Sequence, residues 1–236
     1  MFSEKDILTA RKIAQSIKVP HEFGREEYDG YFDLEPFYEQ VEDLTKDYGD
    51  CYLHYGISKL VFIFDNLPFV IKVPFNGYWY SYEDPDTRQE ERYFEPFECE
   101  CNDSYGDYCA IETEVIQDAQ HFGFGAIMAD EMCIGDYNFH PFYIQEKVKS
   151  ARVEIPRTPS EDSLKKAKEL DNLYQICADV WRALAIESYG EIFWKRFIEW
   201  ADTHATGILE DMHSGNYGYR YDGTPVMFDV SGFNED

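Results

Sequence analysis

Hydrophobic and polar positions alternate with two different periods along this chain, and the change of period divides it. From Ser3 to Val19, Ile7, Ala10, Ala14 and Ile17 recur at helical spacing behind a serine able to cap the first turn, which predicts an amphipathic helix. Leu34–Leu44 repeats the pattern with Phe37, Val41 and Leu44. Tyr52–Tyr55, Leu60–Phe64 and Phe69–Val73 are instead short aromatic and β-branched runs, with Asp65-Asn66-Leu67-Pro68 as a turn between the last two, and they predict an antiparallel sheet. The acidic stretch 81–108 reads as a loop or short insertion. A helix follows from about Asp107 to His121, stopped by Gly123, and then a strand over Phe142–Val148.

Two prolines and a loss of periodicity mark residues 149–160 as a connection. Beyond it, Leu164, Ala167, Leu170, Tyr174, Cys177, Trp181 and Leu184 form one stripe, which predicts a helix over 161–187. Phe193, Phe197, Trp200 and Ala201 predict another over 191–205. Short strands near Tyr217–Arg220 and Val226–Phe228 flank Asp222-Gly223, a strong hairpin signal. Strands first and helices afterwards point to an α+β protein with two unequal lobes.

Composition adds three constraints. Apolar residues make up 44% of the 236, including 18 Phe, 19 Tyr and 4 Trp, enough for a packed core. No apolar run approaches the roughly 20 residues a membrane helix needs, and no apolar signal core follows Met1, so the expectation is a cytoplasmic protein without membrane contact. The six cysteines contain no CxxC pair. Reduced thiols are expected, and Cys99-x-Cys101 with Cys109 lacks a second ligand pair of zinc spacing. A net charge of −26 excludes a general nucleic-acid binder, which needs a basic face. It is compatible with solubility alone, or with an acidic surface that mimics DNA and occupies a basic protein partner.

The chemistry concentrates near the end of the sequence. Phosphoryl transfer needs a carboxylate to orient the attacking hydroxyl, and a neutral oxygen ligand with a second carboxylate to hold magnesium against the phosphates. Asp211, Asn216 and Asp229 supply these groups in that order, the first two on one tight loop and the third returned by the hairpin. Upstream, Lys72 sits in the otherwise apolar run Phe69-Val70-Ile71-Lys72-Val73, where an unpartnered ammonium would be costly. Glu112 shares a helix face with Val115, Ile116 and Ala119, whereas Glu114 points with Gln117 and Asp118 toward water.

Asp211-x-His213-x-Gly215-Asn216 resembles the D-x-H-x-x-N loop of aminoglycoside and choline kinase-type enzymes. Phe228-Asp229-x-x-Gly232 is similar to the D-F-G segment of the protein-kinase-like superfamily. The resemblance implies Asp211 as catalytic base, Asn216 and Asp229 as metal ligands, and Lys72, paired with Glu112, on the α- and β-phosphates. It puts the hinge at Phe142–Val148, with backbone groups of Glu146 and Val148 toward adenine, and the phosphate-covering turn at Tyr55–Lys59 around Ser58.

The pattern also departs from the family. The covering turn has one glycine, Leu209-Glu210 replaces the His-Arg of protein kinases, and seven residues follow Asp229, so a reduced large lobe is expected. The resulting expectation is an acidic, helical N-terminal extension over 1–50, a small lobe over 51–148 with an antiparallel sheet and one helix, and a mainly helical large lobe over 149–236. The implied ligands are ATP and Mg²⁺, and the implied activity is phosphotransfer to a hydroxyl acceptor. The alternatives are a nucleotide-binding pseudokinase and the acidic mimic. The basic residues favour a nucleotide, because seven of the 21 fall between Lys147 and Lys168, beside the expected hinge.

Overall fold

Helix α1 (Glu4–Ser16) begins where the sequence says it should. Ser3 Oγ accepts the Asp6 amide at 3.2 Å, and the Asp6 carboxylate accepts the Ser3 amide at 3.0 Å, a reciprocal capping box. The computed structural model describes residues 1–26, 32–56, 58–97, 107–152, 155–169, 179–205 and 215–230. In chain order the next elements are β1 (Gly24–Glu26), α2 (Glu35–Tyr48), β2 (Cys51–Tyr55), β3 (Lys59–Phe64), β4 (Phe69–Pro74), β5 (Gly77–Glu83), β6 (Glu90–Pro96), α3 (Tyr108–His121), β7 (Glu131–Tyr137) and β8 (His140–Glu146). There follow β9 (Lys149–Ser150), α4 (Glu161–Glu169), α5 (Asp179–Tyr189), α6 (Glu191–His204), β10 (Tyr217–Tyr219) and β11 (Pro225–Met227). The fold is mixed α+β, with antiparallel pairing in its main sheet.

The chain divides into two compact units. The first comprises Met1–Ile111 and Glu131–Glu146; the second comprises Glu112–Asp130 and Lys147–Asp236. The first unit is built on a five-stranded sheet in the order β2-β3-β4-β8-β7. Its register places Phe62 opposite Ile71, and Ile71 opposite Ile144, so these side chains share one face with Leu60, Val73 and Phe142. That face is fully buried with Ala10, Ile13 and Ala14 of α1 and Phe37 and Val41 of α2. The segment expected as an extension therefore supplies part of this unit's core.

The other face of the sheet is polar. Val61, Lys72, Tyr143 and Cys133 form one row across it, and Val70, Gln145 and Glu131 form the next.

Strands β5, β6 and β7 of this unit escape the period-2 reading. Residues 81–108 are not simply a loop: β5 and β6 pair over their whole length as a hairpin, and with β1 they form a separate three-stranded sheet. The acidic composition conceals tyrosines at alternate positions 78, 80 and 82, and the turn is made by Asp84, whose Oδ1 accepts the Asp86 amide at 2.8 Å. Strand β7 is hidden because its register shifts between Cys133 and Gly135, which breaks strict alternation.

The second unit packs α4, α5 and α6 with the sheet β11-β10-β9. Within the stripe expected as one helix over 161–187, the described residues form α4 and α5, which pack against each other, and residues 170–178 lie outside the described residues. An unbroken apolar stripe records which face is buried and not where the chain reverses. Trp181, Trp194, Phe197, Trp200, Tyr217 and Tyr219 are buried together. The Trp181 indole donates to the Gly218 carbonyl at 2.8 Å, which ties α5 to β10. The 3₁₀ turn at Gly125–Ile127 is sewn to the hairpin, because Arg220 donates to the carbonyls of Ala126 and Met128 at 2.7 Å each, and Ala129 N–H donates to the Met227 carbonyl at 2.7 Å.

Candidate functional site

The hairpin that was expected to align the metal ligands is formed by β10 and β11. Tyr217 faces Met227 and Tyr219 faces Pro225. Gly223 has φ +86°, a left-handed value that glycine adopts without steric cost, and its N–H donates to the Arg220 carbonyl at 2.9 Å. At the opposite, open end, the Asn216 carbonyl accepts the N–H groups of Phe228 at 2.9 Å and Asp229 at 3.4 Å. The backbones of Asn216 and Asp229 are thus directly bonded across the base of the hairpin. Asn216 is buried and Asp229 half-buried.

An amide oxygen and a carboxylate are hard oxygen donors of the kind magnesium takes together with phosphate oxygens and water, so the donor set fits that ion without a dedicated protein cage. Among the described residues, no group of three His, Cys, Asp or Glu converges as such a cage. Asp211, His213 and Gly232 lie outside the described residues, as do Cys99 and Cys101.

In the first unit, Lys72 is 4% exposed and its Nζ lies 2.8 Å from Glu131 Oε2. The same oxygen accepts from Gln145 Nε2 at 2.7 Å. A buried ammonium is tolerable only with such charge-assisted partners. Sequence reasoning proposed Glu112 as the partner. That residue is fully buried on α3 and belongs to the second unit. Glu131 went unnoticed because β7 itself was not recognised; the strand-start carboxylate beside Met132 was the available signal.

The row that contains Lys72 extends through Tyr143, whose hydroxyl donates to Asp107 Oδ2 at 2.5 Å. Burial raises the Asp107 carboxyl above its ordinary value, against the opposing hydrogen bonds from Tyr143 and from the first amides of α3. Burial likewise pushes the Tyr143 phenol up, and its bond to Asp107 adds to the shift. The polar face is therefore organised by hydrogen-bonded and ion-paired groups.

Ser58 is buried in the turn between β2 and β3, and its carbonyl accepts the Phe75 amide at 2.8 Å. Glu146 ends β8, and Val148 lies in the two-residue segment before β9, where the chain passes from the first unit to the second. The structure therefore brings Asn216 to Asp229 in one unit, and Lys72 to Glu131 and Gln145 in the other. No protein-family model matches the chain, and no curated protein matches it in sequence.

Proposed function

We propose that this protein is a kinase-like ATP- and magnesium-binding protein that transfers phosphate to a hydroxyl acceptor. The observation that carries the reading is the backbone-bonded Asn216–Asp229 pair at the open end of the β10–β11 hairpin. A buried lysine in a sheet whose third and fourth strands in chain order are separated by helix α3 supports it from the other unit.

In this reading Lys72 is the point charge for the α- and β-phosphates, held in place by Glu131. Asn216 and Asp229 hold the metal, and Asp211 orients the acceptor hydroxyl and takes its proton. Magnesium, when bound, neutralises charge developing on the transferred group. Main-chain groups of Glu146 and Val148 meet the adenine edge, and the turn at Ser58 covers the phosphates.

Thermal unfolding with and without ATP and Mg²⁺ tests the reading. A ligand that binds only the folded state at about 100 times its Kd stabilises by about 2.7 kcal/mol. Asp229→Ala should abolish the metal-dependent part of that shift. Asp211→Ala should keep binding and lose transfer. No stabilisation at millimolar nucleotide would remove the proposal, and binding without transfer to any hydroxyl acceptor would reduce it to a nucleotide-binding pseudokinase.

A further inference from the structure

The β5–β6 hairpin takes no part in the reading above. Its register opposes Tyr78 to Glu95, Tyr80 to Tyr93 and Tyr82 to Glu91. Directly opposed and alternate residues point the same way, so these six side chains share one face. The rings of Tyr80 and Tyr93 stack with centroids 5.6 Å apart. Tyr82 is 50% exposed and Tyr93 41%, and Glu91 and Glu95 are exposed beside them.

Residues 77–97 carry six carboxylates against two guanidiniums, and neither of these two serves this face, on which Arg25 of β1 stands opposite Tyr78 at the inner strand. Arg92 lies on the reverse side, over the Trp79 ring at 5.3 Å from its centroid and paired with Glu26. Arg88 is in the turn, 3.5 Å from Glu83. Among the described residues β6 is the outer strand of its sheet.

We propose that this tyrosine face is a docking surface for an arginine- and lysine-rich segment of a partner protein. Guanidinium and ammonium groups are attracted to the faces of exposed phenol rings, and the interleaved carboxylates receive their hydrogen bonds. A chain of net charge −26 also steers basic partners toward it. A second copy of the chain fits poorly, because antiparallel pairing of two β6 edges centred on Tyr93 would set Glu91 of each against Glu95 of the other. Nucleic acid is repelled for the same reason. The proposal stands apart from nucleotide binding, since none of its residues belongs to that site.

The test is a titration of the full chain into a fluorescein-labelled seven-residue peptide, the length of β6, in which arginine and glycine alternate, read by anisotropy. Glu91→Gln/Glu95→Gln and Tyr82→Ser/Tyr93→Ser should each weaken binding about tenfold at about 0.15 M salt. Asp43→Asn/Asp47→Asn, which removes the same charge from the exposed side of α2, should change it by less than about twofold. Urea midpoints monitor folding. Should the tyrosine variant lose stability, the exposed carboxylate pair decides. Equal weakening by both charge-removing pairs would overturn the proposal in favour of general attraction to an acidic protein. Absence of peptide binding, or a dimer strengthened by Glu91→Gln/Glu95→Gln, would overturn it as well.

Discussion

Gly218→Ala is the most demanding test of how the hairpin base is held. Gly218 faces Ser150 of β9, and a Cβ on it would lie 2.0 Å from the Lys149 carbonyl oxygen and 2.9 Å from the Lys149 carbonyl carbon. Both are backbone atoms, so no side-chain rotation relieves the overlap. Reaching ordinary contact at 3.4 Å requires about 1.4 Å of strand displacement.

Such a shift breaks the β9–β10 ladder and the bond from Ala151 N–H to the Tyr217 carbonyl, now 3.1 Å. It also strains the Trp181–Gly218 bond. Two or three net hydrogen bonds at about 1 kcal/mol each, less about 0.5 kcal/mol gained by stiffening the unfolded chain, leave a loss of about 2 kcal/mol. Urea denaturation followed by tryptophan fluorescence reads it directly, since Trp181, Trp194 and Trp200 all sit in this unit's core. Because Asn216 lies two residues away, the variant should also weaken any ATP–Mg²⁺ stabilisation. A Gly218→Ala protein within about 0.5 kcal/mol of the parent would refute the close approach of the two strands.

Three further outcomes follow from buried or paired groups. Glu131→Gln should cost about 3 kcal/mol by breaking the buried pair with Lys72, and adding Lys72→Met should return part of it; strict additivity of the two single changes in denaturant titrations would show that the pair is not coupled. His140 is 2% exposed, with Nε2 2.6 Å from the Pro20 carbonyl, and burial holds its pKa below the ordinary histidine value. The unfolded chain therefore takes up a proton first, and stability should fall as pH drops below about 6.5 toward the lowered folded value, a slope that His140→Gln should flatten in urea titrations from about pH 7.5 to about pH 5.5. Glu187 is held down to about 2 by the Ser160 amide, which donates at 2.7 Å, and by Arg157. Its contribution, discounted for solvent screening to about 1 kcal/mol, is complete above the unfolded carboxylate range and lost as pH falls toward about 2. The stability gap between the parent and Glu187→Gln should accordingly narrow on acidification, and a gap unchanged with pH would refute the assignment.

Several elements were legible from residue order alone because their causes are local. The Ser3 cap of α1, the Asp222-Gly223 turn and the apolar faces of β3 and β4 each rest on neighbours a few residues apart, and the structure forms them where the pattern places them. Lys72 was conspicuous for the same reason, as a charge inside a run of core residues.

What a side chain meets across the sheet is not local. Glu131 reaches Lys72 from 59 residues away, through a strand whose alternation is broken by a register shift. The acidic segment after β4 became a paired hairpin because its tyrosines find Tyr93 and the carboxylates of β6 opposite them, which composition does not reveal. The apolar stripe contains Ala167, Trp181 and Leu184, which are buried, but cannot say that α4 and α5 pack against each other, since burial is decided by what packs against it. The sequence by itself determined the caps, turns, periodic faces and the types of group available for phosphate chemistry. The hairpin that returns Asp229 to Asn216 was legible in Asp222-Gly223, whereas tertiary structure alone decided that Glu131 meets Lys72 and that the hairpin is closed against β9 by a residue without a Cβ, because strand register and close backbone approach are properties of paired segments and not of either one.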